Sequence, residues 1–129
     1  MCIRDRPWND QIVDRTRYIM GGSLGALKSA INSDGIAGNM AGGTHHAYHS
    51  KGSGYCIFND LAICARVAKR DYKTVNNVII IDLDVHQGDG TASIFSNDNS
   101  IFTFSSFFEF LQEIFYNNIH HGYIIIMSC

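Results

Sequence analysis

Val78-Ile79-Ile80-Ile81 runs without a break into Asp82-Leu83-Asp84-Val85-His86-Gln87-Gly88-Asp89-Gly90, and this junction limits the possible folds more than any other part of the chain. An uninterrupted apolar run of this length fits a strand buried on both faces of a parallel sheet. Parallel α/β sheets bind ligands at the carboxyl ends of their strands. Three acids and a histidine therefore arrive at the edge where function is expected. If the segment stays extended, alternation places Asp82, Asp84 and His86 on one side. A carboxylate with an imidazole is a good partial site for zinc or another divalent metal. The plainer alternative is that Asp82, Asp84 and Asp89 only make turns and helix caps. Gly88 and Gly90 let the backbone turn sharply there.

The elements before the strand supply the βαβ rhythm. From Asp14 to Ile31 the pattern is helical, with Ile19, Leu24, Leu27 and Ile31 apolar. Gly21, Gly22 and Gly25 either weaken this helix or admit a close neighbour. Asn32 to Gly35 reads as its stop. Asn59 or Asp60 caps a second helix running to about Tyr72. A short strand is expected at Ser100–Phe104, reached through a helical turn or two between Thr91 and Phe95.

Ala41 to Gly54 is a glycine- and histidine-rich loop containing Gly42-Gly43-Thr44-His45-His46. Adjacent histidines face one cleft only if the backbone bends. Histidine titrates near neutrality, so such a pair can divide general base and general acid work. A carboxylate on each ring would orient it, and Asp82 and Asp89 are available. The bland alternative is two solvated loop histidines. His49 reads as a loop residue. Tyr55 and Phe58 read as core, or Tyr55 as the wall of an apolar passage.

The whole-chain totals exclude some partners. Net charge is -2 and 46% of the 129 residues are hydrophobic, so no basic bias points to nucleic acid or an anionic membrane. No secretory leader or apolar run of membrane-spanning length is visible. None of the four cysteines forms a CxxC pair. Cys56 and Cys64 read as small buried hydrophobes, with reduced thiols in a cytoplasmic setting.

Three motifs, GGTHHA, GYCIFND and DLDVHQGDG, resemble in order and spacing the histone deacetylase superfamily, in its class IV-like and bacterial deacetylase-like branch. The resemblance covers about residues 14–105. It implies an α/β, arginase/deacetylase-like three-layer fold with a central parallel sheet, here incomplete, and one zinc ion. By motif, Asp84 and His86 correspond to two of three zinc ligands. His45 and His46 correspond to the tandem catalytic histidines, backed by Asp82 and Asp89. Gly54 and Tyr55 fall beside the substrate channel. Asp82, Asp84, His86 and Ser105 fall where the family holds a monovalent cation, commonly potassium. The implied activity is zinc-dependent removal of acetyl or acyl groups from lysine-type amines. The alternatives are an acetylpolyamine amidohydrolase-type enzyme or a non-catalytic truncated module.

The chain departs from the family pattern at both ends. Residues 1–13 show no periodicity and read as a non-native or disordered leader. Residues 106–129 read as an aberrant or frame-shifted tail, with a hydrophobic strand–helix–strand as the other reading. Eight of the fifteen aromatic residues lie within 101–123, no lysine or arginine follows Lys73, and no aspartate follows Asp98. The family's third zinc ligand is a downstream aspartate and its oxyanion donor a downstream tyrosine. The expectation is a chain that is inactive alone.

Overall fold

The computed structural model describes residues 8–33, 35–105 and 123–128. Helix α1 spans Asp10–Asn32, α2 Asp60–Asp71 and α3 Asp89–Phe95; strand β1 spans Asn77–Asp82, β2 Ile101–Ser105 and β3 Tyr123–Ser128. The sheet order is β2-β1-β3, with β1 pairing in parallel on both sides. The fold is α/β, with helices packed on a three-stranded parallel sheet.

Helix α1 begins ahead of the expected Asp14. Asn9 is extended, and its side chain accepts the Ile12 N–H at 3.0 Å, which satisfies one of the open donors of the first turn. The helix then runs through its glycines to Asn32. Gly22 explains part of that pattern. A Cβ there would stand 2.9 Å from the Asn39 amide, whose nitrogen donates to Ile19 O at 3.0 Å and Ser23 Oγ at 2.8 Å. The loop thus closes onto the helix where a side chain is missing. Gly21 and Gly25 face open space.

Helix α2 is capped by Asn59, whose side chain accepts from the Ala62 N–H, and Lys69 and Arg70 occupy its last turn, where the helix dipole favours cations. Its inner face, Leu61, Ala62 and Ala65, packs on Val78 and Ile80 of β1, Ile101 of β2 and Phe95 of α3. A second cluster joins Leu27 of α1 to Cys64 and Ala68 of α2. Alanines and a cysteine at these contacts let the layers approach closely. Cys56 and Cys64 are free and buried. Tyr55 and Phe58 are not core residues: they are 57% and 51% exposed. They flank the buried Cys56 and the capping Asn59, which take the inward positions of this loop.

Layering delivers the site. Strand β1 is buried at Val78 and from Ile80 to Asp82, with Asn77 and Ile79 half-buried, and its last residue, Asp82, sits in register with Ser105 of β2 and Ser128 of β3. The loop that follows leads into α3 at the C-terminal edge of the sheet. Among the described residues no helix is long and apolar enough to cross a membrane.

Candidate active site

Two histidines from one loop meet two acids from another. His45 is buried, and its Nδ1 is hydrogen-bonded to Asp82 Oδ2, itself buried. His46 lies alongside with its ring centroid 4.2 Å away, and its Nδ1 is 2.8 Å from Asp89 Oδ1. A carboxylate can only accept, so each histidine presents a protonated Nδ1 to its acid. In a neutral ring the lone pair is then left on Nε2.

Glycines make room for this meeting. Gly43 (φ 87) supplies the left-handed turn before the histidine pair. A Cβ on Gly90 would stand 2.5 Å from Ala47 O and 2.6 Å from His46 C and O, so only glycine lets the start of α3 abut the histidine loop. Gly54 packs beside His46: its Cβ would lie 3.1 Å from His46 Cδ2. Tyr55, the expected channel residue, is exposed next to it.

The segment after β1 does not stay extended. Asp82 Oδ1 accepts the Asp84 N–H at 3.0 Å, and Asp84 Oδ1 accepts the His86 N–H at 2.7 Å. Each aspartate thus bends the chain two residues on, as short acidic side chains do. Alternation ends at Asp82, which turns inward under His45, and the turn-forming reading of these acids holds as well. The same bends nevertheless bring Asp84 and His86 together, with Asp84 Oδ1 and His86 Nδ1 3.0 Å apart. Asp84 Oδ1 is also 4.0 Å from His45 Nε2, and the His46 and His86 rings are 6.0 Å apart. The donated His86 N–H outweighs burial and holds the Asp84 carboxyl below its ordinary range.

A carboxylate and an imidazole are both zinc-ligand types, and these two residues are the ones in this loop that could hold a metal. The described residues contain no group of three or more His, Cys, Asp or Glu able to hold a metal. Ser105 stands at the same edge, its Oγ accepting the Gly88 N–H at 3.3 Å. His49 is exposed. His120 and His121 lie outside the described residues.

Four residues that support the site carried no local signal of doing so. Asp60 is buried and accepts Ser23 Oγ at 2.6 Å, Thr44 N at 2.8 Å and Thr44 Oγ1 at 2.7 Å. Asn59 donates to Ala47 O at 3.0 Å and Thr91 Oγ1 at 2.9 Å, while Thr91 N donates to His45 O at 3.0 Å. Tyr48 OH donates to Asp89 Oδ2 at 2.8 Å. Asp89 is only partly buried. Burial opposes its ionisation, but hydrogen bonds from His46, Tyr48 and the Gly90 N–H outweigh that and hold the carboxyl below its usual range.

Fold and edge together define an α/β protein in which histidines and acids gather at the carboxyl ends of a parallel sheet. Comparison with known proteins narrows the class. Residues 3–122 match the histone deacetylase domain. An uncharacterized protein of Picosynechococcus sp. is 48% identical over 77% of this chain and 32% of its own length. The acetoin utilization protein AcuC of Staphylococcus aureus is 40% identical over 67% of this chain and 22% of its own. The crystal structure of an HDAC homolog from Aquifex aeolicus superposes with a TM-score of 0.65 and 29% identity, covering 70% of this chain and 23% of that one. The chain belongs to the histone deacetylase family. It spans about a third or less of the length of these relatives.

Proposed function

We propose that this chain carries the histidine half of a zinc-dependent amidohydrolase that removes acetyl or other acyl groups from lysine-type amines. One observation carries the reading: two adjacent histidines, each backed by its own carboxylate, stand beside the Asp84–His86 pair at the end of a buried parallel strand.

Asp84 and His86 would hold the zinc, together with a ligand from outside the described residues. When bound, zinc polarises an amide carbonyl and lowers the pKa of water. The remaining work falls to side chains of this chain. His46, its Nδ1 directed to Asp89, has Nε2 free to take a proton from the attacking water and return it to the leaving amine. His45, buried against Asp82, tunes the charge of the site. Gly54 leaves space against the His46 ring, and Tyr55 beside it lines the approach for an acyl chain. A potassium ion at Asp82, Asp84, His86 and Ser105 belongs to the same reading, supported by Asp82 and Ser105 lying in register across two strands. So does a cytoplasmic setting, since Cys56 and Cys64 are free and buried. An acylated polyamine fits the same chemistry. The test is a zinc titration of this chain completed with the downstream portion of its Picosynechococcus relative. One tightly bound zinc, lost in Asp84→Ala, is expected; tight binding retained in Asp84→Ala contradicts the assignment.

A non-catalytic truncated module is the second reading, and the zinc titration separates it from the first.

A further inference from the structure

Asp89 has two carboxylate oxygens, and the proposed chemistry uses one. Oδ1 faces His46 Nδ1 at 2.8 Å and accepts the Gly90 N–H at 2.9 Å. Oδ2 accepts the Tyr48 hydroxyl at 2.8 Å. The Asp89 side chain is 43% exposed, so packing alone does not fix the rotation of its carboxylate. Tyr48 is itself fixed. Its N–H donates to Lys51 O at 2.9 Å, and Lys51 Nζ lies over its ring, 4.4 Å from the centroid. The hydrogen bond to Asp89 pushes the Tyr48 phenol above its ordinary range, so the hydroxyl keeps its proton and stays a donor.

We infer that Tyr48 is a positioning residue for His46: its hydroxyl pins the Asp89 carboxylate in the orientation that holds the His46 Nδ1 proton and leaves Nε2 as the free nitrogen. The importance of this for turnover rests on His46 being the general base. Without the hydroxyl, the half-exposed carboxylate is free to rotate toward water, and the imidazole loses the partner that selects its tautomer. The Tyr48 hydroxyl donates to Asp89, so its effect would be transmitted through that carboxylate.

The experiment is heteronuclear NMR of the ring nitrogens in the metal-free 129-residue chain, labelled with ¹⁵N-histidine. In the parent, His46 should be chiefly the Nδ1–H tautomer. Tyr48→Phe keeps the ring and deletes one donor. It should raise the Nε2–H tautomer of His46 roughly three- to tenfold, in line with the net loss of one ordinary hydrogen bond, and leave His45 unchanged. In Asp89→Asn the same Tyr48→Phe change should have no further effect, since coupling runs through that carboxylate. Three results would overturn the inference: unchanged His46 signals in Tyr48→Phe, an equal change at His45, or an effect that persists in the Asp89→Asn background. The signals are read without zinc or substrate. A failed zinc or turnover assay therefore leaves this inference intact, and loss of the coupling leaves the deacylase reading intact.

Discussion

The Asp60 carboxylate accepts both the backbone N–H and the hydroxyl of Thr44, at 2.8 and 2.7 Å, so the loop bearing His45 and His46 hangs from the first residue of α2. The same carboxylate takes the Ser23 hydroxyl from α1. One buried acid thus ties two helices to the histidine loop. Asp60→Ala would leave several donors in a dry interior without a partner. Loss of about 3 kcal/mol or more of stability is expected, read from urea midpoints. A change within 0.5 kcal/mol would show that the loop is held by other contacts.

Gly90→Ala tests close approach rather than hydrogen bonding. Its methyl would collide with the backbone of His46 and Ala47, which cannot yield as a flexible side chain can. Overpacking of this kind costs about 1–3 kcal/mol, and here the strain falls on the segment that carries His46. Gly21→Ala is the control: nothing stands within 4 Å of its Cβ, and alanine is the better helix former by up to about 1 kcal/mol. Thermal melts should move down for the first and up for the second. The same direction for both would contradict the packing.

Cys64 should behave as an inert apolar residue. Burial, with a smaller contribution from Asp60, pushes its thiol up from 9.0 to about 12. It should resist alkylation in the native state at pH 8 while reacting freely in urea. Because the unfolded thiol ionises first, the stability it contributes is present below about pH 9 and is lost as pH rises through about 12. Cys64→Ala should flatten that alkaline decline; an unchanged profile would assign the decline to other groups.

Much of this architecture was legible because its signals are local. The apolar run 78–81 lies within β1, Asn59 caps α2, and the turn after Gly88 opens α3. The pairing of His45 with Asp82 and of His46 with Asp89 was reachable only through the motif resemblance, since partners 37 and 43 residues apart leave no periodic trace. The start of α1 was missed because the cue is a single capping asparagine ahead of the hydrophobic stripe. The extended course expected for Asp82 to His86 failed because each aspartate turns the chain by accepting a backbone N–H two residues on. The support that Tyr48, Asp60 and Thr91 give the site could not be read, because it lies in long-range hydrogen bonds that sequence spacing does not encode.

Turnover of an acetyl-lysine peptide by the zinc-loaded, completed chain, before and after His46→Ala, tests the proposed chemistry most directly. Zinc-dependent hydrolysis that falls roughly 100-fold or more in the variant is expected for loss of a general base. Absence of hydrolysis in the parent, or near-normal turnover in His46→Ala with zinc still bound, would contradict it.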